Sequence, residues 1–77
     1  MTNNVKSHRL AIDMTQAELA KHVKVSARTI ISLEQGKYKP SIMLAYRLAL
    51  LFNTTIEDLF NLPDNLKMED NTDENTK

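Results

Sequence analysis

Apolar positions along this chain recur at three- and four-residue intervals and do not alternate over a strand's length, which predicts helices throughout. The first helix is expected from about Asn4 to Ile12, with Val5, His8, Arg9 and Ile12 on one face. Thr15 opens a second helix. It precedes Glu18 by three residues, the capping-box spacing in which each side chain satisfies the other's backbone N–H. Leu19, Ala20 and Val23 form the inner stripe of that helix. Ser26 caps a third helix whose Ile30 and Leu33 point inward, and Gly36 ends it in a left-handed conformation. Pro40 and Ser41 introduce a longer fourth helix, in which Leu44, Ala45, Leu48, Ala49 and Phe52 repeat at helical spacing and Asn53 is the stop. Thr55 and Asp58 repeat the capping-box spacing ahead of a short fifth helix containing Ile56, Leu59 and Phe60. After Pro63 the chain is polar, acidic and poor in apolar residues, and reads as a disordered tail. The expected organisation is all-α: one domain over residues 1–63 and an acidic tail over residues 64–77. Phe60 to Leu62 can also pair as a short strand with the N-terminus.

Composition narrows the chemistry. A chain of 77 residues has room for one domain. It has no cysteine, and its two histidines show no spacing with Asp or Glu that suggests a metal site or a triad. No catalytic residue, metal, cofactor or small-molecule ligand is therefore expected, and an enzyme is the least favoured reading. No apolar run approaches the roughly 18 residues of a membrane span, so a cytoplasmic protein without a membrane partner is expected. The formal net charge of zero conceals an uneven distribution. From Asp64 onward five acids face two lysines, whereas the preceding 63 residues carry eight basic and five acidic side chains. A mildly basic body suits a polyanion partner.

The informative segment is Thr15 to Lys37, TQAELAKHVKVSARTIISLEQGK. Two short helices flank a break of about four residues, the spacing of a helix-turn-helix. Ala20 supplies the small residue needed where the third helix crosses the second, and Val25, Ile30 and Leu33 are apolar anchors. Arg28, Ile31, Ser32 and Gln35 project from the opposite side of the third helix, with Ala27 at its edge. Arg28 can hold guanine O6 and N7 with two hydrogen bonds, Ile31 or Ala27 can rest on a thymine methyl, and Ser32 can accept or donate. Within this motif base reading is assigned to Ala27, Arg28, Ile31 and Ser32; outside it Arg28 reads as a solvated surface arginine. Phosphate contacts are assigned to Thr15 and Gln16 at a helix N-terminus, and to Gln35, Lys37, Tyr38, Lys39 and Ser41 around the loop that ends at the fourth helix. Lys6, Lys21 and Lys24 read as solvated, His8 as a packing residue and His22 as exposed.

In VKSHR, TQAELA, VSARTI, LEQGKYKPS and LALLFNTTIEDLF, from about Val5 to Leu62, the chain resembles the Cro/CI (Xre-like) family of phage repressors and small bacterial regulators. The resemblance implies a five-helix lambda-repressor-like DNA-binding domain that binds double-stranded operator DNA as a homodimer and represses transcription. It also implies that Gln16 touches phosphate and that Arg9 and Glu34 pair beneath the recognition helix. One half-site is small for specificity, so a two-fold dimer with recognition helices about 34 Å apart over an inverted repeat is expected. Leu59, Phe60 and Leu62 are candidates for its surface, or else for the monomer core. Three positions depart from the family pattern: Lys24 and Asp13 stand where glycine is common and His8 where leucine is frequent, and a left-handed lysine costs on the order of 1–2 kcal/mol. An antitoxin is the main alternative, its tail folding on a toxin through Leu62, Leu66 and Met68. A protein-binding adaptor that leaves DNA alone is the third.

Overall fold

Short helices with firm stops define this chain. The computed structural model describes residues 1–75, with side chains through residue 70. Its elements are α1 (Val5–Ala11), α2 (Gln16–His22), α3 (Ala27–Glu34), α4 (Ile42–Leu51), α5 (Ile56–Leu59) and α6 (Leu62–Asn75), with no strand among the described residues.

Both ends of these helices follow from side-chain chemistry. Thr15, Ser26, Ser41 and Thr55 each accept a hydrogen bond from the backbone amide three residues on, which satisfies one orphan donor per helix. At Thr15 the box is complete, because Glu18 Oε1 accepts from the Thr15 amide at 2.9 Å. The stops are left-handed residues: Asp13, Lys24, Gly36, Asn53 and Asn61 all have φ between 49° and 77°. After α3, Gly36 N donates to Leu33 O and Lys37 N to Ser32 O, both at 3.0 Å, the paired bonds of a Schellman turn. Equivalent pairs close α1, through Asp13 and Met14, and α4, through Asn53 and Thr54. Aspartate and asparagine tolerate this conformation better than most residues. Lys24 has no such help.

With entries and exits fixed, the apolar faces converge on one core. Val5, Leu19, Ile30, Leu33, Leu48 and Leu59 are completely removed from solvent. Ala20 is buried where α2 meets α3, and its small side chain lets the two backbones approach. Val25, in the turn between them, packs against the same cluster. Gly36 is held closely from outside as well: a Cβ there would sit 2.7 Å from the carbonyl oxygen of Met1.

The structure departs from the sequence-based expectation at four places. Ile12 caps the C-terminus of α1 and is half exposed, because the helix stops at Ala11 before its side chain can turn inward. Phe52 is only half buried and stacks on His8, with ring centroids 5.4 Å apart. Phe60 to Leu62 makes no strand; the N-terminal segment instead touches this region through Asn4 N, which donates to Leu59 O at 2.8 Å. The largest difference lies beyond Pro63. Residues expected as a tail form most of a sixth helix, so the chain has six helices rather than five through Asn75. Proline is compatible with a helix's first turn, where its missing N–H is not needed, and Asp64 beside it favours the positive end of the helix dipole. The last two residues of the expected tail, 76 and 77, lie outside the described residues.

Candidate nucleic-acid interface

The third helix is presented by what lies beneath it. Ile30 and Leu33 anchor its inner side in the core, and Ser26 caps its start. Between them Arg28 is exposed, Ile31 is 39% exposed, Gln35 is exposed and Ser32 is half-buried. Ala27 is half-buried and packs against the core, so of the four assigned base readers it sits furthest from the open face. Among the described residues no ion pair or side-chain hydrogen bond holds Arg28. Its guanidinium is therefore available to an external acceptor, unlike that of Arg9.

Arg9 and Glu34 form a fork-on-fork pair. Arg9 Nε donates to Glu34 Oε2 at 2.7 Å and Arg9 Nη2 to Glu34 Oε1 at 3.1 Å. Their side chains are 9% and 4% exposed. Burial of two charges is tolerated here because the remaining polar atoms also find partners. Arg9 Nη1 donates to the Met14 carbonyl at 2.9 Å, and Gln16 Nε2 donates to Glu34 Oε1 at 3.0 Å. The hydrogen bonds that Arg9 donates to Glu34 raise its pKa above its already high ordinary value, against the opposing effect of burial and with a smaller contribution from the Glu34 charge. The result is a cross-brace from α1 through the α1–α2 turn to the last residue of α3.

Gln16 thus has two tasks open to it. One amide hydrogen is spent on Glu34, which leaves its carbonyl and the second N–H at the half-buried edge of α2. Thr15 and Ser41 are comparable. Each hydroxyl oxygen accepts from a helix amide, at 3.1 and 3.2 Å; the Ser41 O–H remains able to donate, whereas the Thr15 hydroxyl is shared with the Glu18 carboxylate. Lys37 and Tyr38 are exposed in the segment leaving the Schellman turn of α3. Lys39 is exposed too, but its Nζ lies 3.2 Å from Glu69 Oε1 on α6. One expected phosphate ligand therefore has an acidic neighbour. The sequence offers no signal for that contact, because residue 69 reads as part of an acidic tail.

Two of the three dimer candidates are corrected. Leu59 and Phe60 are 0% and 1% exposed within the single chain, where α5 closes the core, and cannot also form a surface. Leu62 is 38% exposed at the start of α6. No helix among the described residues is long and apolar enough to cross a membrane.

A family profile described as helix-turn-helix matches residues 5–59, which covers α1 through α5. Proteins of similar sequence carry matching names. An uncharacterized HTH-type transcriptional regulator of Archaeoglobus fulgidus is 52% identical over 60 residues, covering 78% of this chain and 84% of the relative. One from Methanocaldococcus jannaschii is 45% identical over 64 residues, covering 83% of this chain and 97% of its own length. A third, from Bacillus subtilis, is 34% identical over 64 residues with the same coverage.

Proposed function

The chain belongs to the helix-turn-helix family, and from that premise we propose that it is a DNA-binding transcriptional regulator whose α3 enters the major groove. The observation that carries this reading is the contrast between two arginines. Arg9 is buried and fully engaged, whereas Arg28 stands exposed on the outer face of the helix that Arg9 and Glu34 brace, without an ion pair or side-chain hydrogen bond among the described residues. A rigid helix with one free guanidinium among small and apolar side chains suits bidentate recognition of guanine. Ile31 and Ser32 complete the reading set, and Ala27 contributes at its rim.

Thr15, Gln16, Gln35, Lys37, Tyr38, Lys39 and Ser41 surround that face and are proposed to clamp phosphates, which fix register without specifying sequence. Repression is the proposed outcome, by occupation of an operator, as the Cro/CI resemblance implies. A homodimer on an inverted repeat is proposed because one α3 spans too few base pairs for specificity. Leu62 is the candidate of the three that still has surface to offer such a dimer. Selection of bound duplexes from a random pool tests the reading as a whole. It should return an inverted repeat with half-sites about 10 base pairs apart. A pool left unenriched, with no salt-dependent DNA binding, would refute it.

A further inference from the structure

Four asparagines outside the helix-turn-helix, Asn3, Asn4, Asn61 and Asn65, form a clasp between the N-terminal segment and the junction of α5 and α6. Asn65 is 7% exposed. Its Nδ2 donates to the Phe60 carbonyl at 2.7 Å and to the Thr2 carbonyl at 3.0 Å, while its Oδ1 accepts from Thr2 N at 3.3 Å. One side chain therefore pairs with both backbone polar groups of Thr2, as a neighbouring strand would. Residue 4 is tied down just as firmly. Asn4 N donates to the Leu59 carbonyl at 2.8 Å, and Asn4 Nδ2 reaches the Asp58 carbonyl at 3.0 Å and Asn61 Oδ1 at 2.9 Å.

The residue between these two anchors points elsewhere. Asn3 Nδ2 donates to the Leu33 carbonyl in the last turn of α3 at 2.8 Å, and Asn3 Oδ1 accepts from Val5 N at 3.1 Å. With its backbone neighbours held on α5 and α6, Asn3 presents its amide to α3 from a fixed frame. We infer that Asn3 is a positioning residue for base reading, setting the pose of the C-terminal end of α3 relative to the rest of the domain. This inference rests on the proposed role of α3 in DNA recognition. A bidentate hydrogen bond weakens steeply when its angle is lost, whereas attraction between lysines and phosphates tolerates small rotations. Release of the end of α3 therefore lowers discrimination between sequences more than it lowers general affinity for DNA.

The amide of asparagine divides the two roles of Asn3 cleanly. Asn3→Asp and Asn3→Ser both keep an oxygen for Val5 N, the first amide of α1; the aspartate carboxylate offers the Leu33 carbonyl no donor, and the single serine hydroxyl, one bond shorter than the amide, cannot span both partners. Each variant is titrated against the site that the wild-type protein selects from random DNA and against a scrambled duplex of equal length. Melting temperature is measured alongside. The expected result is a specific-to-scrambled affinity ratio lowered about five- to tenfold in both variants, the scale of one lost hydrogen bond, with melting temperature lowered by about 2–8 °C and both variants still folded at the assay temperature. The added charge of the aspartate lowers both affinities and cancels in the ratio, and the serine variant carries no charge at all. An unchanged ratio in folded variants would overturn the inference while leaving DNA recognition intact. Should the wild-type protein select no site, the DNA reading itself would fall, and this inference with it.

Discussion

Gln16 and Glu34 meet across the helix-turn-helix, the glutamine Nε2 donating to the carboxylate Oε1 at 3.0 Å, on the same oxygen that Arg9 Nη2 reaches. The residue expected to hold a phosphate is thereby joined to the buried pair that braces the recognition helix. Positioning and clamping share one hydrogen-bonded network in this domain.

That network makes Glu34 an expensive residue to remove. Glu34→Ala strands the Arg9 guanidinium in the core and frees the Gln16 amide. The expected loss is about 3–5 kcal/mol, a large part of what a domain this size possesses. Thermal or urea unfolding measures it. A loss below about 1 kcal/mol, the range of an exposed pair, would contradict the burial of Arg9 and Glu34.

Lys24 is strained in the opposite sense, since its φ of 63° places a β-carbon where glycine is preferred. Lys24→Gly relieves roughly 1–2 kcal/mol of left-handed strain and gives back part of it as unfolded-state entropy. Melting temperature should rise by about 2–6 °C for a chain of this length. A fall would show that the turn between α2 and α3 does not need that conformation.

Much of this architecture was legible in the sequence, and the reason lies at the helix ends. Thr15, Ser26, Ser41 and Thr55 are local signals, each read within four residues, and each caps a helix. The inner faces of α2, α3 and α4 were equally plain, because periodicity reports burial directly. What stayed hidden depends on distant contacts. Asn65 looks like any tail asparagine until Thr2 and Phe60 are seen around it. Pro63 and the acidic run after it read as the end of the fold, and only the continuation of α6 shows the proline in a helix's first turn. Leu59 and Phe60 were open to either surface or core, since a helix of four residues is too short to show a face.

At the start of α2 the capping box carries a pH dependence. The Thr15 amide, and then the Thr15 hydroxyl, hold the Glu18 carboxyl below its ordinary pKa. A depressed carboxyl contributes stability that is fully present above its unfolded value and is lost as pH falls through the folded value. Unfolding followed between about pH 6 and pH 3 should therefore show a shallower acid decline in Glu18→Gln than in the wild type, since the glutamine never changes charge. Parallel declines would remove Glu18 from the acid-sensitive set.

Lys39 and Glu69 form an exposed pair, 74% and 60% accessible, of the kind that contributes about 0–1 kcal/mol. Glu69→Gln should leave melting temperature unchanged while releasing Lys39 for phosphate. Affinity for DNA at low salt is expected to rise by up to about fivefold, with the gain shrinking as salt is added. Equal affinities at low salt would show that Lys39 does not reach the DNA backbone.

Base reading by Arg28 and its neighbours on α3 is decided by comparing the sites that the wild type and Arg28→Ala select from random DNA. The variant should bind the wild-type site about 1–3 kcal/mol more weakly and lose its preference at one position in each half-site, with the other positions kept. An Arg28→Ala site profile identical to the wild type, base for base, would contradict it.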